Sequence, residues 1–158
     1  HAPWVARGVV GQRPFETVEA LHAAMVGVVA GQDEPARIAF YAGHPELAGE
    51  DARRGTMTDA SIAEQGTLSL ARLDAHEAER WSALNQAYRA RFGFPFILCI
   101  RRHTRESALQ AFEQRLAHDC ATELATTLDE IAAITRLRLE RQVSDVSQAA
   151  SHGQSIAS

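Results

Sequence analysis

The chain has 158 residues, of which 46% are hydrophobic, so it is long enough and apolar enough to form one compact domain with its own core. Its formal net charge of −4, with no long run of like charges, argues against binding to nucleic acid or to an anionic membrane. All sixteen basic residues are arginine, which excludes Schiff-base lysine chemistry and the lysine of a phosphate-binding loop.

The N-terminal part of the chain predicts a loop followed by two helices. Prolines and glycines punctuate residues 1–14, which we therefore expect to form a loop-like lead-in. Thr17 is placed to cap a helix over residues 18–30. Asp33 is placed to cap a second helix over residues 34–42, with a proline in its first turn.

A histidine lies directly after this second helix. Gly43 ends the helix, and Pro45 disfavours a helical conformation at the residue before it, so the imidazole of His44 should stand at a helix end. An isolated Gly-His-Pro is most simply a helix C-terminus with a solvent-exposed histidine. Two later stretches, residues 61–65 and 92–97, weigh against this simple interpretation.

Three polar residues cluster on the next predicted helix, which begins near residue 58. Ser61, Glu64 and Gln65 occupy positions i, i+3 and i+4, so they share one helix face. Ser61 and Glu64 also match a capping box, with Gln65 simply exposed. A cluster of this kind alternatively suits a polar small molecule.

The following helix ends at an apolar stretch. Asp74 and Glu77 form a predicted capping box for a helix that reaches residue 91, with Gly93 as its C-terminal stop. Residues 94–100 are apolar and contain Pro95, so we expect a short, extended, buried segment. It is either core alone or a row of backbone donors and acceptors for an amide-rich ligand.

The last third predicts two more helices. Thr104 caps the first, and the longest helix of the chain covers about residues 121–142. On that helix Arg138 falls close to one line with Leu124 and Ile131. Its guanidinium must either extend past the edge of the core or meet an anion.

These elements predict an all-α fold, since no run of alternating strands and no internal repeat is present. We expect a single compact multi-helix domain over residues 1–143 with one short extended buried segment at residues 94–100. Residues 144–158 read as a polar C-terminal tail. The chain begins with His1, so we expect that an N-terminal piece precedes it.

Compartment and cofactors are predicted mainly from patterns that the sequence lacks. Cys99 and Cys120 are far apart and form no C-x-x-C pair, and no secretory signal or membrane-length apolar stretch occurs, which favours a reduced, cytoplasmic protein. No metal-ligand pattern, phosphate loop or dinucleotide fingerprint is present, so we expect neither a metal nor a cofactor.

Four sequence blocks, in order, resemble the signature of the OHCU decarboxylase family. OHCU is 2-oxo-4-hydroxy-4-carboxy-5-ureidoimidazoline, an intermediate of urate breakdown. The blocks are Pro3-Trp4-Val5-Ala6, His44-Pro45-Glu46-Leu47-Ala48, Ser61 to Gln65, and Asn85-Gln86-Ala87-Tyr88 leading into Arg91-Phe92-Gly93-Phe94-Pro95-Phe96. Arg138-Leu139 matches the end of the family's closing helix, so the resemblance runs from about residue 3 to residue 143.

The resemblance implies an all-helical homodimeric carboxy-lyase that decarboxylates OHCU to (S)-allantoin without a cofactor. It implies His44 and Glu64 as catalytic residues. The substrate-binding residues that it implies are Pro45, Ser61, Gln65, Phe96, Ile97, Leu98, Cys99, Ile100 and Arg138. The expected partner is the small-molecule ureidoimidazoline substrate, with no nucleic acid and no membrane.

Two other classes of function remain open from the sequence. A cofactor-free hydrolase of a related ureide is one, because the same histidine and glutamate could activate water. A non-catalytic helical interaction module is the other, although the polar residues of the three blocks argue against it.

Overall fold

The structure is a computed structural model that describes the backbone of residues 2–49, 68 and 73–154 and, as far as residue 144, their side chains. Within these residues it contains six α-helices and no strand, which confirms the predicted all-α class. The helices are α1 (Pro3–Val9), α2 (Val18–Ala30), α3 (Glu34–Ala42), α4 (Ala75–Phe92), α5 (Arg105–Leu116) and α6 (Cys120–Gln154).

The residues group into two compact units. We call His1–Gly31 together with Ala132–Ser158 the terminal unit, and Gln32–Ile131 the central unit. None of the helices in the described part of the chain combines the length and hydropathy that a membrane span needs.

In the terminal unit, the N-terminal lead-in is helical, so the prediction of a loop there was wrong. Pro3 occupies the first turn of α1, where a proline is tolerated because its missing N–H would have no helical partner. Gly8 is a contact position instead of a helix breaker, because a Cβ there would lie 2.9 Å from Cγ1 of Val28. This glycine lets α1 pack closely on α2.

A half-buried histidine contact joins two helices of the terminal unit. His22 on α2 donates from Nε2 to the carbonyl of Ala132 on α6 at 2.8 Å. The cap predicted for α2 is confirmed, since Thr17 Oγ1 accepts from the N–H of Ala20 at 3.0 Å. Helix α6 continues to Gln154, so the backbone at the start of the predicted tail is helical.

The core of the central unit is aromatic. Tyr88 lies at its centre and contacts four phenylalanine rings at centroid distances of 4.7–5.8 Å, those of Phe92, Phe94, Phe96 and Phe112. Three of these rings, of Phe92, Phe94 and Phe96, come from the Phe-Gly-Phe-Pro-Phe stretch. That stretch is therefore part of the core and carries the extended segment through it.

The extended segment is present as predicted. Residues 95–99 have no regular secondary structure, all of residues 94–100 are buried, and Ile100 begins a short 3₁₀ turn, Ile100–Arg102. The capping box between Asp74 and Glu77 is also confirmed at the start of α4.

Gly93 ends α4 in the left-handed conformation, with φ of +81°. We expect Gly93→Ala to lower the free energy of unfolding by about 1–2 kcal/mol, because a Cβ clashes with the backbone in that region. Steric crowding by neighbouring side chains is not the cause, since the new Cβ would lie 3.5 Å from Cγ2 of Ile38, an ordinary van der Waals contact. Urea denaturation followed by circular dichroism measures the loss.

Gly43 is the matched control for this substitution. It also ends a helix, its added Cβ would also lie 3.5 Å from the nearest atom, and its φ is −77°. Gly43→Ala should therefore leave the stability unchanged or raise it slightly. Equal losses in the two variants would contradict the conformational explanation for Gly93.

Candidate active site

His44 lies directly after α3, beside the carbonyl groups of the last helical turn. Its Nδ1 lies 3.2 Å from the carbonyl oxygen of Phe40 and 3.3 Å from that of Tyr41. Carbonyl oxygens only accept, so Nδ1 must carry the proton and the basic lone pair lies on Nε2. The negative end of the α3 dipole also favours a positive charge on the ring. The side chain is half-buried and its ring meets the Phe40 ring edge-on.

The loop that carries His44 is fixed by α4. Buried Asn85 donates from Nδ2 to the carbonyl of Leu47 at 2.9 Å, and Arg89 pairs with Glu46 at 2.8 Å. Gly49 closes the loop, since a Cβ there would lie 2.5 Å from Cβ of Glu46. The His-Pro-Glu-Leu-Ala block and the block that begins at Asn85 are therefore in direct contact.

Two charged side chains bind the backbone of the extended segment. Arg115 on α5 donates from Nη1 to the carbonyl of Ile97 at 2.7 Å. Glu130 on α6 accepts the N–H of Cys99 at 2.6 Å through Oε2. The backbone at residues 97–99 is thus held by side chains from two different helices.

Arg115 belongs to a buried polar cluster that the sequence analysis missed. Its Nε donates to Glu123 at 2.8 Å and its Nη2 donates to the hydroxyl of Thr127 at 3.0 Å. Glu123 also accepts from the hydroxyl of Tyr88 and lies 2.9 Å from Nδ1 of His118. Glu123 and Thr127 are fully buried, and the positive charge of Arg115 balances the negative charge of Glu123 within the cluster.

Burial raises the pKa of Tyr88 well above its usual value, and the Arg115 charge opposes this only in part. The phenol therefore stays protonated at every physiological pH and acts as a hydrogen-bond donor to Glu123. The cluster is structural, since it connects the aromatic core to the extended segment.

A signal for this cluster exists in the sequence. Glu123, Thr127 and Glu130 lie at i, i+4 and i+7, so a polar stripe runs along one face of α6 beside Leu124 and Ile131. A polar stripe among buried positions predicts bonded partners, but it does not say which groups they are.

The predicted site residues are placed as follows. His44 and the exposed Pro45 lie in the central unit, as do the buried residues of the extended segment, Phe96, Ile97, Leu98, Cys99 and Ile100. Arg138 is half-buried on the part of α6 that belongs to the terminal unit. Ser61, Glu64 and Gln65 lie outside the described residues.

The sequence profile of the OHCU decarboxylase family matches residues 1–140. The chain belongs to the OHCU decarboxylase family. A Haloferax volcanii protein named 2-oxo-4-hydroxy-4-carboxy-5-ureidoimidazoline decarboxylase is 38% identical over 144 residues, which are 91% of this chain and 83% of the relative.

Two crystal structures, of an (S)-allantoin synthase and of an OHCU decarboxylase, resemble the chain. That of an (S)-allantoin synthase matches with a TM-score of 0.65 and 29% identity, over 89% of this chain and 45% of that one. That of an OHCU decarboxylase in the presence of (S)-allantoin matches with a TM-score of 0.67 over 90% of this chain and 92% of that one. At 19% identity the second match shows that the OHCU decarboxylase fold is shared.

Proposed function

We propose that this chain is a carboxy-lyase that decarboxylates OHCU to (S)-allantoin in urate degradation. Its place in the OHCU decarboxylase family supports this activity. The observation that carries the mechanism is the imidazole of His44, which the end of α3 holds in one tautomer with its basic nitrogen at Nε2. Such a group is suited to move a proton near neutral pH.

The substrate itself can absorb the electrons that decarboxylation releases. Its carboxylate is attached to a hydroxyl-bearing carbon beside the carbon of a C=N bond. As CO2 leaves, the electron pair of the broken C–C bond forms a C=C bond between these two ring carbons, and the C=N electron pair moves to the ring nitrogen, which takes a proton from the solvent. The hydroxyl loses its proton and becomes a carbonyl, and a proton is added to the neighbouring ring carbon. His44 is proposed as the group that accepts the proton of the hydroxyl and controls the delivery of a proton to the neighbouring ring carbon.

Glu64 is the second catalytic residue of this proposal: it orients N–H groups of the ring or the ureido group and holds His44 or a water molecule in place. Ser61 and Gln65 bind the amides. Backbone groups of residues 96–100 line the other side of the substrate. Arg138 positions a polar edge of the substrate, because strong binding of the carboxylate in the ground state would not accelerate its loss.

We also propose that the active form is a cytoplasmic homodimer. Cys99 is buried and Cys120 is exposed, and the two do not form a disulfide bond with each other, which suits a reducing compartment. The homodimer follows from the family resemblance of the sequence blocks.

The activity is tested with freshly generated OHCU, because the substrate also decays on its own. We expect the chain to release CO2 and to form optically active allantoin, both before and after exhaustive chelation and dialysis. Trapped CO2 and circular dichroism of the product are the measurements. Release of ammonia or urea without CO2 would show a ureide hydrolase instead, and activity restored by one added metal would contradict the cofactor-free mechanism.

A further inference from the structure

The two side chains that bind the extended segment approach it from the same side. Arg115 donates to Glu123 and Thr127 as well as to the segment. Glu123 and Thr127 share one face of α6 with Glu130, at positions i, i+4 and i+7. Both hydrogen bonds to the segment therefore come from the α6 side.

Leu98 lies between these two bonds, and peptide geometry fixes the direction of its backbone groups. Both of its peptide bonds are trans and planar, so each N–H points opposite to the carbonyl of the preceding residue. The carbonyl of Ile97 points to Arg115, so the N–H of Leu98 points away from α6. The N–H of Cys99 points to Glu130, so the carbonyl of Leu98 also points away from α6.

The backbone groups of Leu98 lack a partner in the described part of the chain. The residue is 5% exposed, and neither its N–H nor its C=O makes a hydrogen bond to any described residue. Buried backbone groups are nearly always paired, so an oriented, unpaired donor and acceptor on one residue indicate a ligand.

We infer that Glu130 and Arg115 are positioning residues that hold the N–H and C=O of Leu98 as a fixed donor–acceptor pair for the substrate. Such a pair fits the edge of a cyclic urea or amide, where an N–H and a C=O lie side by side. The substrate ring and the hydantoin ring of allantoin both have this edge. The inference rests on the proposed function and adds the side chains that make the recognition specific.

Three substitutions of Glu130 distinguish the effect of where its acceptor oxygen lies from the effect of its negative charge. Glu130→Leu removes the acceptor, and Glu130→Asp keeps the charge but is one methylene too short to reach the N–H of Cys99. Glu130→Gln removes the charge but keeps an oxygen that accepts at the same distance. We expect the Leu and Asp variants to raise KM by about tenfold with kcat nearly unchanged, and the Gln variant to stay within about threefold of the wild type.

Binding is measured separately from turnover, by calorimetric titration of each variant with (S)-allantoin. The same order should appear, with weaker binding to the Leu and Asp variants and near-normal binding to Gln. Glu113→Leu is the matched control, since Glu113 is an exposed glutamate on α5 that pairs with Arg80 at the surface. Its KM should be that of the wild type. Urea denaturation of every variant shows which proteins are folded under the assay conditions.

The outcomes separate this inference from the proposed function. An active wild type with unchanged KM in folded Glu130→Leu and Glu130→Asp overturns the positioning role alone. A Gln variant as impaired as the Leu variant also overturns it, because charge and not placement would then matter. A wild type that neither releases CO2 from OHCU nor binds (S)-allantoin refutes the proposed function itself.

Discussion

The His44→Asn variant will fold normally and lose the catalysed formation of (S)-allantoin, leaving only slow spontaneous conversion to racemic product. Asparagine keeps part of the side-chain size and hydrogen bonding but removes the titrating nitrogen. General acid–base catalysis by one side chain typically contributes about 10²–10⁴-fold, so we expect a loss of at least about 100-fold in kcat. Circular dichroism of the product as it forms measures both the rate and the chirality.

The stereochemistry makes this test sharper than a rate alone. A planar intermediate in water can be protonated from either face, whereas an imidazole held by the end of α3 can serve one face only. The matched control is His76→Asn, an exposed histidine in the first turn of α4. Folded His44→Asn protein that still made (S)-allantoin at the wild-type rate would show that His44 is not the catalytic residue.

The Arg115→Met variant will lose about 3–5 kcal/mol of stability, because it removes the buried guanidinium that pairs with the fully buried carboxylate of Glu123. It also removes the donors to Thr127 and to the carbonyl of Ile97. This is a large share of the total stability of a domain, about 5–15 kcal/mol. Urea denaturation followed by far-ultraviolet circular dichroism measures the change.

Two further variants show that burial is the cause. Arg80→Met breaks an ion pair whose side chains are 50% and 45% exposed, and it should cost no more than about 1 kcal/mol. Adding Glu123→Gln to Arg115→Met should recover at least about 1 kcal/mol, because the uncompensated charge is removed. Equal losses for Arg115→Met and Arg80→Met would mean that the cluster does not stabilise the core.

The features that local sequence predicted well are those that depend on a few neighbouring residues. The caps at Thr17, Asp33 and Asp74 involve atoms three residues away, and the left-handed stop at Gly93 requires only its own backbone. The placement of His44 at a helix end is of the same kind, since Gly43 and Pro45 determine it.

The features that were missed depend on residues distant in the chain. Gly8 looked like a helix breaker because its contact, Val28, lies on another helix. The bonds from Arg115 to Ile97 and from Glu130 to Cys99 span 18 and 31 residues, and no local pattern identifies such partners. The same holds for Asn85, whose bond to the carbonyl of Leu47 spans 38 residues.

If His44 is the acid–base group proposed above, its hydrogen bonds to the end of α3 also determine the state of the ring between one catalytic cycle and the next. Both oxygens facing Nδ1 can only accept, so removal of the Nδ1 proton would set a lone pair against them. An imidazolium that gives up a proton can therefore do so only from Nε2, the atom that accepted it. In the proposed mechanism, one ring atom therefore serves as base and then as acid, and the histidine returns to its starting tautomer without a ring flip or a separate recovery step.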